Sequence, residues 1–346
     1  MLNVQIVLFD GFDLLDAIAP YEVFCAAGMT AGGGVHVEFV SADGPRHVIS
    51  GVNGVKLEAR GKLSPDQQGI ILVPGASGEL AGDGPDSIPV LLARASNTAL
   101  TGMLVRALEN PKIVVATVCG GSLVLAMGGM LEGRPAVTHH LGMDVLGETG
   151  AIPVNARVVD DGNLVMGGGV TSGLDVALYL VERELGPRIT HEVEQLFEYE
   201  RRGTVWRSTG ISPGDGAKIG DPNASKDSSS FLEVRATANA STSSSASPSL
   251  FEGEWDATIE TPVGGLIVKL HIATVHGVIQ GTCMHGDEAS PFIDPEFTGN
   301  LLRWSLRVTK PMRLTLKLEV MVDGDQMTGI AKAGVLPSSR LSGHRI

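Results

Sequence analysis

The 346-residue chain carries 26 Lys and Arg against 39 Asp and Glu, a formal net charge of −13. An acidic chain without a basic stripe disfavours nucleic acid and anionic membranes as its main partners. The three cysteines are widely spaced, and this spacing indicates neither a disulfide framework nor a CxxC metal pair. No signal-like start and no bilayer-length apolar run is present. We therefore expect a cytoplasmic protein of more than one domain.

The first 203 residues alternate between apolar, strand-like runs and segments with apolar residues at helical spacing. In chain order the pattern predicts strands at 4–9, 35–41, 55–59 (an edge strand), 70–74 and 112–118, a short strand within 131–140, and a hairpin of 156–160 with 164–166. The predicted helices are 14–27, 88–108, one opening at residue 122, 174–185 and one from residue 187 to 199. This alternation predicts a flavodoxin-like, doubly wound α/β domain with a mostly parallel sheet.

Ligands of such sheets bind beyond the carboxyl ends of the strands. The predicted strands place four loops at that edge, and we expect a functional site where they meet. The loops cover residues 10–16, 75–78, 119–122 and 138–140.

The composition changes after residue 203. Residues 204–250 are rich in Ser, Gly and Pro, which predicts a flexible linker. Residues 251–346 carry short alternating segments broken by Gly, Pro and Asp, which predict a small antiparallel β-domain, either a barrel or a sandwich. Trp255 and Trp304 are interpreted as core residues of that domain. Its role is not evident, although a small apolar ligand or a protein is a conceivable partner.

Cys119 ends an apolar, β-branched run and precedes Gly120, Gly121 and the helix that opens at Ser122. A strand, a sharp turn and a helix form the elbow that exposes a nucleophile at the top of a sheet. Because a helix N-terminus favours negative charge, we expect a lowered pKa for the Cys119 thiol. The alternative is a small, buried, inert cysteine, and this interpretation is retained for Cys25 and Cys283.

Asp16 is the candidate proton partner of the thiol, because it interrupts an apolar run just before the first helix. The alternative role for Asp16 is a helix cap. Asp10 and Asp13 are interpreted as turn residues. The backbone N–H groups of Gly75, Ala76 and Gly120 are candidate donors of an oxyanion hole.

His139 is a second candidate partner, since a Cys–His pair would indicate acyl transfer, but a structural or surface role is equally open. His139 and His140 are adjacent in a strand and point to opposite faces, so they do not form a metal site. No P-loop or nucleotide-binding glycine motif is present. We expect neither a metal nor a nucleotide cofactor.

Four stretches of residues 1–200 resemble the ThiJ/PfpI superfamily, which has a class I glutamine-amidotransferase-like fold, and within it the isocyanide (isonitrile) hydratases. They fall in the family's order and lie at 15–24, 73–75, 118–125 and 157–175. The last of them includes Thr171, which the resemblance places near the substrate. Sensor domains of certain transcription regulators share these motifs.

The resemblance implies that Cys119 attacks the terminal carbon of an isocyanide, while Asp16 handles protons and orients water. A thioimidate would form, and its hydrolysis would release an N-substituted formamide without a cofactor. Two departures stand out: Gly120 replaces a threonine of the hydratases, and His140 replaces an aromatic residue. The resemblance also implies a homodimer, for which the apolar helix at 176–185 is a candidate interface.

Three other functions remain open. A glyoxalase- or deglycase-like enzyme would act on α-oxoaldehydes, but such relatives use a glutamate where Asp16 stands. A non-catalytic ligand sensor would need the same cavity without turnover. A proteolytic role would need His139 paired with Cys119.

Overall fold

The computed structural model describes residues 1–80, 82, 84–211, 250–261, 264–275, 278–286, 288–298, 300–308, 314–332 and 338–346. Most of the predicted linker, residues 212–249, therefore lies outside the described residues. The N-terminal domain contains one eight-stranded sheet in the order β12-β10-β11-β7-β6-β1-β2-β5. Its strands are β1 (Leu2–Val7), β2 (Val35–Ser41), β5 (Gly61–Lys62), β6 (Gly69–Val73), β7 (Ile113–Thr117), β10 (Val158–Asp160), β11 (Leu164–Gly167) and β12 (Trp206–Arg207).

The sheet is parallel except at one edge, where β10 runs antiparallel to β11 and forms the predicted hairpin. Two short ladders stand outside it, β3 (Arg46–Ile49) with β4 (Lys56–Ala59) and β8 (Pro135–Ala136) with β9 (Ile152–Pro153). Seven helices are described: α1 (Leu14–Thr30), α2 (Ile88–Ser96), α3 (Ala99–Glu109), α4 (Gly121–Met127), α5 (Met143–Glu148), α6 (Ser172–Leu185) and α7 (Pro187–Phe197).

Helices α1, α6 and α7 pack together in one layer, and α2 to α5 pack together in another. The buried strand residues that drive this packing form one continuous apolar core with the helices. The predicted doubly wound α/β fold is confirmed.

The single helix predicted at 88–108 is wrong, because the structure contains two helices that meet at an angle of 65°. Thr98 lies in the extended region, and its hydroxyl accepts from Leu100 N at 3.3 Å and donates to Ala95 O at 2.8 Å. Polar side chains of this kind compete with the helix backbone, so Thr98 ends one helix and caps the next. Because the apolar periodicity continues across Thr98, the sequence pattern does not reveal the break.

Both edges of the sheet differ from the prediction. The segment at 55–59 does form a strand, β4, but it pairs with β3 in a separate hairpin, and β5 forms the edge. At the opposite edge, Trp206 and Arg207 pair with β10. The sheet therefore extends a few residues past the predicted domain end at 203.

The C-terminal domain is one all-antiparallel, nearly closed sheet of nine strands in the order β16-β15-β14-β13-β21-β20-β19-β18-β17. Trp255 and Trp304 lie in its core, as predicted, together with Cys283. Because its nine described strands form one nearly closed sheet, this domain matches the predicted barrel better than the sandwich. The strands are β13 (Gly253–Thr261), β14 (Gly264–Val275), β15 (Val278–His285), β16 (Glu288–Pro291), β17 (Ile293–Thr298), β18 (Leu301–Val308), β19 (Leu314–Asp323), β20 (Gln326–Lys332) and β21 (Ser339–Arg345).

The helix suggested as a dimer interface is not available for that role. Residues Val176 to Val181 of α6 are buried within the chain, where the helix packs against α1 and α7. The homodimer itself stays a prediction without an assigned face. Among the described residues, no single helix is long and apolar enough to cross a bilayer; only the bent α2–α3 pair meets that test, by length and composition alone.

Candidate active site

Cys119 lies at the predicted elbow between β7 and α4. Its backbone φ of 55° is unusual for a residue other than glycine and costs roughly 1–2 kcal/mol. Backbone hydrogen bonds hold the turn on both sides, from Val118 N to Val73 O and from Cys119 N to Gly167 O, each at 3.1 Å. The elbow is thus fixed by the strands that flank β7 in the sheet.

Two hydroxyls outside the predicted site residues, those of Thr138 and Ser122, support this strained turn. Thr138 Oγ1 donates to the Cys119 carbonyl oxygen at 2.9 Å. Ser122 Oγ lies 2.7 Å from Val137 O and 3.2 Å from Cys119 O. Both hydroxyls are buried, so the elbow carbonyl is satisfied without water. Ser122 and Thr138 lie in two of the predicted loops, 119–122 and 138–140. The sequence does not show that both contact the carbonyl oxygen of Cys119.

Gly121 permits α4 to start directly beneath the neighbouring strand, because a Cβ there would lie 2.2 Å from Val73 O. We expect Gly121→Ala to destabilise the protein by about 3 kcal/mol, since the three atoms nearest the added Cβ all belong to the backbone of Val73 and Pro74. The control is Gly102→Ala in α3, where a Cβ meets no atom within 4 Å. Replacing glycine in a helix interior should stabilise there by about 0.5–1 kcal/mol. Urea unfolding of both variants checks the opposite signs, and equal effects would contradict this account of the elbow.

Asp16 lies in the first turn of α1 and is fully buried. It is not the helix cap, because Asp13 fills that role: Asp13 Oδ1 accepts from Leu15 N at 3.0 Å and from Asp16 N at 3.2 Å. Asp16 Oδ2 accepts from Gly75 N at 2.9 Å, and Asp16 Oδ1 has no partner among the described residues. A buried carboxyl with one unsatisfied oxygen is costly, which points to a functional role.

Gly75 lies between Gly120, Asp16 and Cys119. A Cβ on this residue would lie 2.7 Å from Gly120 N, 2.8 Å from Asp16 Oδ2 and 3.2 Å from Cys119 Cβ. The side chains of Asp16 and Cys119 lie close enough for each to influence the ionisation of the other. Because Gly75 N–H donates to Asp16, this group is not free for an oxyanion hole, in contrast to the prediction. Its N–H positions the acid.

The lowered thiol pKa predicted from the helix N-terminus is wrong. Burial and the neighbouring Asp16 carboxyl raise the pKa of Cys119 well above its ordinary value, and the Gly120 N–H opposes them only in part. Burial and the charge of Asp13 likewise raise the pKa of Asp16, against the hydrogen bonds from Gly75 and Cys119. The pair therefore retains a proton at neutral pH.

This raised pKa predicts slow alkylation of Cys119 by iodoacetamide at pH 7, with a rate that keeps rising at the highest pH the fold tolerates, because the thiolate reacts. Asp16→Asn removes the adjacent charge and should shift the rate profile to lower pH. Peptide mapping by mass spectrometry separates Cys119 from Cys25 and Cys283. A Cys119 profile that reaches its plateau below pH 8 would contradict the assigned direction.

The thiol opens onto a cavity of about 270 Å³. Of the predicted site residues, Cys119, Ala76, Gly120 and His139 line this cavity, and Gly75 and Asp16 lie behind the thiol. Thr171 is not part of the wall, because its exposed hydroxyl accepts from Arg157 Nη2 at 3.0 Å. Most of the wall is apolar, from Leu80, Ile88, Pro89, Leu92, Leu123, Met127, Leu141, Val145 and Val170.

His139 lies on the cavity wall but makes no hydrogen bond to Cys119 among the described residues. Its Nδ1 accepts from Leu141 N at 3.3 Å, so the neutral ring carries its proton on Nε2. Burial, together with the charge of His140 beside it, lowers the pKa of His139. The Cys–His pair needed for acyl transfer or proteolysis is therefore not formed, and Asp16 is the group in contact with the thiol.

Leu92 accounts for the absence of a side chain at Gly120. A Cβ on Gly120 would lie 2.9 Å from Leu92 Cδ1. The space in which the resembling hydratases carry a threonine is thus filled by an isobutyl group, and an apolar surface replaces a hydroxyl beside the thiol.

A larger, open cavity of about 1120 Å³ lies beside α6 and α7, away from the elbow. Several of its charged groups have hydrogen-bond partners: Asp175 accepts from Arg157 Nε and from Arg202 N, each at 2.7 Å, and Arg201 Nε donates to Glu194 at 2.7 Å. These contacts secure the segment that leads to β12. Among the described residues, no group of three or more His, Cys, Asp or Glu is arranged to hold a metal ion.

The protein therefore combines an α/β fold, a cysteine at a strand–helix elbow and a buried carboxyl beside the thiol. Similarity to known proteins identifies the family. Residues 3–183 match the DJ-1/PfpI family. The chain belongs to this family, as its motifs indicate.

The individual relatives match in part. An isonitrile hydratase of Pseudomonas putida is 48% identical over 85 residues, which cover 25% of this chain and 37% of that protein. The HTH-type transcriptional regulator CdhR of Pseudomonas aeruginosa is 27% identical over 193 residues, 55% of this chain and 53% of that protein. The chain thus spans about a third to a half of these two relatives. The crystal structure of a ThiJ/PfpI family protein from Pseudomonas syringae superposes with a TM-score of 0.49 at 25% identity, covering 58% of this chain and 76% of that one.

Proposed function

We propose that the protein is a cofactor-independent hydratase that converts an isocyanide and water into an N-substituted formamide. The observation that carries this proposal is the adjacent pair of Asp16 and Cys119, beside Gly75 at the end of a mostly apolar cavity. A carboxyl whose pKa is raised, next to a soft nucleophile, suits a small, uncharged electrophile.

The terminal carbon of an isocyanide carries a lone pair and accepts a proton. The Asp16–Cys119 pair supplies that proton as the sulfur forms a bond to the same carbon. The net first half-reaction is R–NC + HS–Cys119 → R–N=CH–S–Cys119, with no change in oxidation state to be supplied from outside. The raised pKa values favour this order, because a free thiolate is not required before the substrate binds.

The cavity wall supports an uncharged, apolar substituent on the nitrogen. Burying such a group gains about 25 cal/mol for each Å² of apolar surface removed from water. A carboxylate would lose much of its hydration against this mostly apolar wall and would meet the negative charge of Asp13 there. The partial match to an isonitrile hydratase agrees with this substrate class.

A ligand sensor without turnover is the second candidate. Two observations favour it: the partial match to a transcriptional regulator, and a thiol whose raised pKa makes it a poor free nucleophile. A glyoxalase-like activity has less support, since the cavity offers few polar groups to a dicarbonyl substrate.

The test is formamide production by the purified full-length chain from butyl, cyclohexyl and benzyl isocyanide, measured by NMR. We expect turnover of these three and little of isocyanoacetate, whose carboxylate is excluded by the wall. Methylglyoxal consumption under the same conditions tests the glyoxalase alternative. Binding of an isocyanide without formamide would favour the sensor, and the absence of both would contradict the hydratase.

A further inference from the structure

Hydrolysis of a thioimidate needs a base that takes a proton from water, and Asp16 is poorly placed for that step. It is fully buried and does not line the cavity, and its Oδ2 is bound to Gly75 N. Within the part of the chain that the structure describes, the titratable side chains that line the cavity are those of Asp13, Cys119 and His139.

His139 does not meet this need. Its Nδ1 accepts from Leu141 N, so in the neutral ring Nε2 carries the proton and acts as a donor. Cys119 is consumed as the thioimidate. Asp13 is therefore the remaining group of the cavity wall with a basic atom.

The two carboxyl oxygens of Asp13 differ in their hydrogen bonds. Oδ1 accepts from Leu15 N and Asp16 N and caps α1. The backbone N–H of Asp13 donates to Gly75 O at 2.8 Å, which ties this residue to the loop beside the thiol. Oδ2 accepts no hydrogen bond from any described residue. The cap thus fixes the carboxylate in one orientation and leaves one oxygen for a ligand of the cavity.

We infer that Asp13 is a catalytic residue of the second half-reaction, in which its Oδ2 binds the attacking water and accepts its proton. This role rests on the proposed function. Water oxygen bonds to the thioimidate carbon, and one water proton passes through Asp13 to the substrate nitrogen. The C–S bond then breaks, the sulfur takes the hydroxyl proton, and R–NH–CHO leaves. The balance is R–N=CH–S–Cys119 + H₂O → R–NH–CHO + HS–Cys119.

The charge of Asp13 does not assist the first half-reaction. It opposes ionisation of both Cys119 and Asp16, so its removal should leave thioimidate formation intact. The two half-reactions are therefore separable by one substitution.

The test compares Asp13→Asn with wild type in rapid-quench mass spectrometry, using cyclohexyl isocyanide. Asn keeps the Oδ1 acceptor for the helix cap and removes the base. We expect adduct formation on Cys119 within about threefold of wild type, formamide release slowed about 10²-fold or more, and accumulation of the adduct. Asp13→Ser, which also caps helices, should give the same split and guards against a folding defect of one variant.

Asp10→Asn is the matched control, because Asp10 lies in the same loop but pairs with Arg46 at 3.0 Å and does not line the cavity. It should behave as wild type. Formamide release by Asp13→Asn at the wild-type rate, or equal loss of both steps in a folded variant, would overturn the role of Asp13. A wild-type protein that makes no formamide would instead count against the proposed function.

Discussion

Cys119→Ser is expected to abolish formamide production, with a loss of about 10⁴-fold or more in kcat/KM, the scale seen when a covalent nucleophile is removed. Serine is slightly smaller than cysteine and fits the same position beside Asp16, so the fold and the cavity should persist. The hydroxyl is harder and less nucleophilic, and the thioimidate does not form. The measurement is turnover of cyclohexyl isocyanide together with thermal unfolding.

The other two cysteines supply the controls for this substitution. Cys25 is half-buried in α1, and Cys283 lies in the core of the β-domain. Cys25→Ser should retain activity, and so should Cys283→Ser if the barrel stays folded. A Cys119→Ser variant that keeps wild-type turnover would exclude covalent catalysis at the elbow.

Asp16→Asn is expected to change activity and stability in opposite directions. Turnover should fall by about 10²- to 10⁴-fold, because the Cys119 thiol loses the neighbouring carboxyl that shares its proton during attack on the isocyanide. Stability at neutral pH should rise by about 0.5–2 kcal/mol, the gain typical of relieving a costly functional group. Asparagine fits the same space, and its oxygen still accepts from Gly75 N.

The difference in unfolding free energy between wild type and Asp16→Asn should depend on pH, because the pKa of Asp16 is raised in the folded state. The folded state holds the Asp16 proton to a higher pH than the unfolded chain, whose Asp pKa is about 3.9. Wild-type stability relative to Asp16→Asn therefore falls as pH rises above about 4 and continues to fall through the folded-state pKa of Asp16. Below pH 4 the two proteins should unfold alike. Urea unfolding between pH 3.5 and 8 checks the trend, and a gap that shrinks with pH would show the opposite sign of the shift.

The sequence predicted that Cys119 and Asp16 share one site, because both residues break a local pattern. Cys119 ends a buried strand ahead of two glycines, and Asp16 interrupts an apolar run. Asp13 looked like any turn aspartate, because its role depends on contacts with Gly75 and with the cavity. The direction of the thiol pKa was missed for a related reason: the helix N-terminus is visible in the chain, but burial beside a carboxyl is a property of the assembled site.

The fold shows the same contrast between local patterns, which the sequence reveals, and contacts between distant residues, which it does not. Strand and helix positions follow from local periodicity, and the elements of the α/β domain were largely predicted. The break at Thr98 depends on a few side-chain hydrogen bonds that periodicity does not report. In the β-domain, the choice between barrel and sandwich depends on long-range pairing, such as that of β13 with β21, which alternation alone does not determine.

The left-handed backbone of Cys119 has a consequence for how this chain evolves. At that position glycine would relieve the conformational cost, so selection for thermal stability alone would favour losing the thiol. A cysteine that persists across related chains at such a costly φ would record selection for chemistry. Relatives that have become pure sensors are free of that demand, and we expect glycine or asparagine at this elbow among them.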